Sequence, residues 1–138
     1  MSMTGLEAFD RTVHRTNEWV HELMDELAWR DKHKAYIAMK ATLHALRDRL
    51  TVDAAAQLAA QLPMLVRGFY YEGWDPSDKP LKERHKREFL ARIAREFADY
   101  DSEAVARAVF RVLLRHVSEG ELAAVKHLMP AELEELWS

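Results

Sequence analysis

Cysteine is absent from this chain of 138 residues, and glycine and proline occur only four times each. The first absence excludes a disulfide framework, a thiolate metal site and a cysteine nucleophile, and it leaves the redox compartment unread. No glycine-rich phosphate cradle occurs, and runs of Val, Ile and Thr that would favour strands are missing. Long apolar runs are lacking too: the most apolar stretch, residues 54–66, is too short to span a bilayer and is interrupted by Gln57, Gln61 and Pro63. Near the N-terminus Glu7, Asp10 and Arg11 stand where an export signal needs unbroken apolar residues, so a cytoplasmic location and no membrane partner are expected. A net charge of -3 with both signs interspersed lacks the basic footprint of a non-specific nucleic-acid binder.

What is present favours helices. Ala, Leu, Glu and Arg lose little side-chain entropy in a helix. Leu6, Phe9, Val13, Thr16, Val20, Leu23 and Leu27 recur at spacings of three and four, the stripe of an amphipathic helix, with Thr4 and Glu7 as an expected capping box. Tyr36, Met39, Leu43, Leu46 and Leu50 repeat the pattern. Thr51 is expected to cap a third helix, through Ala55, Leu58 and Leu62. Pro63 ends it and opens a short fourth with Leu65, Val66, Phe69 and Tyr70, which Gly73 stops. Asp75, Pro76, Ser77, Asp78, Lys79 and Pro80 make the one strong loop signal. Beyond it come stripes through Phe89, Leu90, Ile93 and Phe97, and through Val105, Val109, Val112 and Leu113. A helix capped by Ser118 with Glu121 follows, and after Pro130 a last one with Leu133, Leu136 and Trp137.

The two halves correspond. Pro130 lies 67 positions after Pro63, and the same offset pairs Leu43 with Phe110, Thr51 with Ser118, Leu62 with Met129 and Tyr70 with Trp137. Upstream an offset of 70 pairs Trp19 with Phe89, Leu23 with Ile93 and Leu27 with Phe97. The expectation is an all-α fold of about eight helices, arranged as two tandem four-helix repeats packed into one bundle-like domain. The repeats would span residues 4–74 and 82–137, joined by a loop at 75–81.

The strings HALRDRL at 44–50, QLP at 61–63, RGFYYEGWDP at 67–76 and LEELW at 133–137 resemble an uncharacterised bacterial family, domain of unknown function 2267. The resemblance runs from about Gly5 to Trp137. It implies an all-helical bacterial protein and carries over no activity, cofactor or site residue.

Three constellations are candidates for function. Arg67, Tyr70, Tyr71 and Trp74 sit in a segment with four aromatics in six positions, which cannot all point inward from a short helix. Rim aromatics beside an arginine are the composition of binding hot spots, so these four are the expected partner-binding residues, for a protein or for a second copy. His14, Glu18, His21, Glu22 and Asp25 run along a flank of the first helix, and Glu18 with His21 has the spacing of one half of a bundle metal site. No second such motif exists, so a metal-binding protein or enzyme is the alternative, and no metal, cofactor or catalytic residue is expected. Lys79, Lys82, Arg84, His85, Lys86, Arg87, Arg92 and Arg95 form the one basic cluster, opposed by Glu83, Glu88 and Glu96 and without flanking aromatics for stacking. Nucleic-acid binding there is the weaker alternative. His44 and His116, near Arg47 and Arg115, read as border histidines that bond a neighbour.

Overall fold

In the computed structural model, which describes residues 3–138, the chain forms eight α-helices and two short 3-10 turns, with no strand among the described residues. In chain order they are α1 (Glu7–Leu27), α2 (Lys32–Arg49), α3 (Val52–Ala59), α4 (Met64–Tyr71), α5 (Lys86–Glu96), α6 (Ser102–His116), α7 (Glu119–His127) and α8 (Ala131–Glu134). The 3-10 turns are Pro76–Asp78 and Glu135–Trp137.

α2 is the centre. Ala35, Ala38, Met39, Ala41, Thr42, Leu43, Ala45 and Leu46 bury it on nearly every side, as a helix surrounded by others requires. It packs against α1, α4, α5 and α6. The one hydroxyl this buries, on Thr42, donates to the Ala38 carbonyl at 2.9 Å and so is not left unpaired. Each fully buried leucine of this core contributes about 1.5–3 kcal/mol.

Helix ends follow the expected chemistry in most places. Thr51 accepts from the Ala54 N–H at 3.1 Å and Ser118 from the Glu121 N–H at 3.2 Å. Gly73, at φ +70°, follows α4 in the left-handed conformation that stops it. Pro63 stands one place before the first helical residue of α4, at its N-cap. The start of α1 differs from expectation. Thr4 sends its N–H and its hydroxyl to the Asp10 carboxylate, at 2.9 and 2.7 Å, and Glu7 instead pairs with Arg11. Leu6, extended at the N-cap position, leaves Thr4 two residues too early for a Thr4–Glu7 box.

The contacts have a regularity. α1 packs on α2, α4 and α6; α5 packs on α6, α8 and α2; α2 meets α6, and α3 meets α7. Exchanging α1 with α5, α2 with α6, α3 with α7 and α4 with the segment from α8 to the chain end leaves this set unchanged. Tyr70 and Trp137, paired by the offset of 67, are both buried, Trp137 stacking on Phe110 with ring centres 4.0 Å apart.

Candidate interaction surface

The end of α4 is held from α2 by two side chains, Arg47 and His44. Arg47 is 4% exposed; its Nη1 donates to the Tyr70 and Glu72 carbonyls at 2.8 and 2.9 Å, and its Nε to Asp48 at 2.8 Å. One turn earlier His44 Nε2 donates to the Phe69 carbonyl at 2.7 Å, while Nδ1 lies 3.0 Å from Glu96 at the end of α5. The last carbonyls of a helix lack intrahelical partners and carry the negative end of its dipole, so buried donors here are doubly favoured. The consequence is chemical as well as structural. Both nitrogens of His44 face acceptors, so neither offers a free lone pair to a substrate.

Lys40, one turn before His44, brings its Nζ to 3.4 Å from the Glu72 carboxylate. Lys40, His44, Arg47, Glu72, Gly73 and Glu96 line an open cleft of about 540 Å³ where α2, α4 and α5 meet. Glu72 and Gly73 separate the two aromatics beside it, Tyr71 and Trp74, whose ring centres are 5.2 Å apart at 38°. Both are partly exposed and pack on the core by one face.

The four expected partner-binding residues therefore divide. Tyr71 and Trp74 stand at the rim. Tyr70 is fully buried, its hydroxyl donating to the Ala55 carbonyl at 2.8 Å, which removes it from any contact surface. Arg67 folds back on α3, with Nε on the Ala59 carbonyl and Nη2 on that of Leu62, both at 3.0 Å. It serves there as the C-terminal cap that the break at Pro63 demands. Lys40 and Glu96 were not among the sequence candidates. The offset of 70 that places Glu26 opposite Glu96 is the signal that points to the latter.

The flank of α1 is divided too. His14 pairs with Glu18 at 2.8 Å on the exposed side. Glu22 turns inward to His116 at 2.7 Å and Arg115 at 3.2 Å, and Glu26 to Arg111 at 2.6 Å and to Arg115. His116 also stacks on Trp19 at 4.7 Å. Hydrogen bonding to Arg111 holds the Glu26 carboxyl below its ordinary range, with Arg115 adding to it against the cost of burial. Among the described residues no group of three His, Asp or Glu is placed to hold a metal ion.

Part of the basic segment is taken up by ion pairs. Lys79 meets Asp78 at 2.8 Å, Arg92 meets Glu83 at 2.7 Å, and Lys86 meets Glu135 at 2.6 Å. Lys82, Arg84, Arg87 and Arg95 make no ion pair among the described residues. No described helix is long and apolar enough to cross a membrane.

No curated protein matches the chain. The model of one family does, over residues 16–136, and by that match the chain belongs to the uncharacterized conserved proteins DUF2267.

Proposed function

We propose that this protein is a non-enzymatic interaction module of two tandem four-helix units, working in the bacterial cytoplasm, which takes a segment of a partner protein across the Tyr71–Trp74 rim. One observation carries the reading: a tilted aromatic pair, partly exposed and backed by core, beside a polar cleft. Rigid aromatics bring large contact area at little entropic cost, and the charged wall gives a bound segment polar partners. The cleft also supports binding over chemistry, because His44 and Arg47 are committed to carbonyls and to Glu96. The unchanged contact set under exchange of the halves favours two tandem copies. The test is a pull-down from host lysate with wild type and the Tyr71→Ala, Trp74→Ala double variant, both shown folded by circular dichroism. A partner lost only with the variant supports the reading; identical captures with both overturn it.

A separate observation favours self-association as a second reading. Leu6 and Phe9 are each 49% exposed, Met64 is 51% and Leu65 46%. They lie where α1 meets α4, whose Leu65 N–H donates to Thr12 Oγ1 at 2.9 Å. Large exposed apolar side chains at one helix junction are the usual mark of an interaction site. The residue 67 positions after Leu65 is Glu132, which instead accepts from the Lys86 N–H at 3.1 Å and closes the start of α5. Sedimentation of wild type and Phe9→Ser, Met64→Ser decides it: a dimer lost in the variant supports this reading, and a wild-type monomer at high concentration sinks it.

A further inference from the structure

The last turn of α2 and the chain entering α5 enclose a notch with a different composition from the cleft. Arg49, Pro80, Leu81, Lys82 and Arg84 line a cavity of about 360 Å³. Three of the five are cations, and no carboxylate is among them. The floor is fixed by backbone: the Leu81 N–H donates to the Asp48 carbonyl at 2.9 Å, which ties the loop to the end of α2.

Arg49 is oriented rather than merely present. Its Nε donates to the Glu83 carbonyl at 2.8 Å, while its two Nη atoms make no hydrogen bond among the described residues. Of the neighbouring carboxylates, that of Asp48 is paired with Arg47 Nε at 2.8 Å, and one oxygen of Glu83 accepts from Arg92 Nη2 and Nε at 2.7 and 3.0 Å while its other oxygen is buried without a hydrogen-bond partner among the described residues. A guanidinium anchored through Nε with its terminal nitrogens open is the fork that meets two oxygens of a tetrahedral or planar oxyanion. Lys82 and Arg84 are exposed and unpaired beside it. Burial depresses the pKa of Arg49, and the neighbouring charge of Arg84 depresses it further against the opposing pull of Glu83. Like charges crowded at a partly desolvated site are destabilised until an anion arrives.

We propose that this notch binds a phosphate-like oxyanion, held by the Arg49 fork and by Lys82 and Arg84, either as free phosphate or as the phosphoryl group of a small molecule. The cavity suits one such group with a short substituent; apolar contact comes from Pro80 and Leu81. It is independent of the Tyr71–Trp74 rim and stands or falls apart from it.

The experiment is a titration of the full chain at low ionic strength, following the arginine Nε–H signals by nuclear magnetic resonance. The probes are inorganic phosphate, a nucleoside monophosphate, a short oligonucleotide and, as control, sodium chloride at matched ionic strength. Saturable movement of the Arg49 signal with phosphate, weakened tenfold or more in Lys82→Gln, Arg84→Gln, is the expected result. Those two side chains are exposed, so the variant keeps its fold; Arg49→Lys, which retains charge but loses the fork, should weaken binding as well. Tighter binding of the monophosphate assigns the source to an esterified phosphoryl group, and equal binding assigns it to the free anion. Equal movement of all exposed arginines, no effect of the double variant, or preference for an oligonucleotide with a steep salt dependence would each overturn the proposal.

Discussion

Glu96 holds the Nδ1 of His44 at 3.0 Å, joining the end of α5 to the middle of α2. The offsets that align the halves carry His44 onto Arg111 and Glu26 onto Glu96, and Arg111 meets Glu26 at 2.6 Å. A basic side chain from the second helix of each half thus reaches a carboxylate at the end of the first helix of the other. Neither half completes its own pair. These two connections tie α2 to α5 and α6 to α1 by polar contacts, a register that apolar packing alone does not fix.

Removing Glu26 tests the pair with the better-buried carboxylate. Its side chain is 16% exposed, but Arg111 and Arg115 are 42% and 46% exposed, so solvent screens the pair and Glu26→Gln should cost only about 1 kcal/mol at neutral pH. The Arg111 hydrogen bond lowers the folded carboxyl below the ordinary glutamate value of 4.5. A lowered carboxyl contributes stability that is complete above about that value and vanishes as pH falls through the folded one. Urea unfolding at pH 7 and pH 3 should therefore show the two proteins separated at the first and converging at the second.

Tyr70 and Tyr71, adjacent in sequence, should respond unequally. Tyr70→Phe removes the bond to the Ala55 carbonyl and should cost about 1 kcal/mol, whereas Tyr70→Ala empties a fully buried site and should cost about 3–5 kcal/mol. Tyr71→Ala, losing one packed face at the rim, should cost less than half of that. Thermal unfolding followed by circular dichroism orders the three.

The helices were legible because burial writes a period of three and four into the sequence, and because Thr51, Ser118 and Gly73 end helices by local chemistry. Side-chain destinations were not. Tyr70 and Tyr71 have the same composition signal, and only the direction of α4 relative to α2 and α3 decides which is core. Arg67 reads as a hot-spot arginine until the two carbonyls exposed by the break at Pro63 claim it. Glu22 and Glu26 look like members of a solvated flank because their partners lie about 90 positions away, on α6. Long-range pairs of this kind leave no local trace.

The start of α1 offers a local case. Since the Asp10 carboxylate accepts both the N–H and the hydroxyl of Thr4, Asp10→Ala should cost about 1 kcal/mol and speed amide exchange at Thr4. Glu7→Gln should change almost nothing, because the Glu7 side chain is 87% exposed and its one ion pair, with Arg11, lies in solvent. Exchange rates at Thr4 in the two variants separate the Asp10 arrangement from a Thr4–Glu7 box, which predicts the reverse order.

Arg47 links stability to the proposed binding surface. Its Nη1 bridges the Tyr70 and Glu72 carbonyls, on either side of Tyr71 and just before the turn at Gly73 that sets Trp74. Arg47→Met fills similar space but leaves two carbonyls and the end of the α4 dipole without their cation, a loss of about 2–4 kcal/mol. The damage should be local before it is global: amide exchange across residues 70–74 should rise more than exchange in α6 or α7. Partner capture through Tyr71 and Trp74 should then fall even under conditions where circular dichroism shows the variant fully helical. If exchange rises evenly along the whole chain, Arg47 is a stabiliser of the core and has no special hold on the rim.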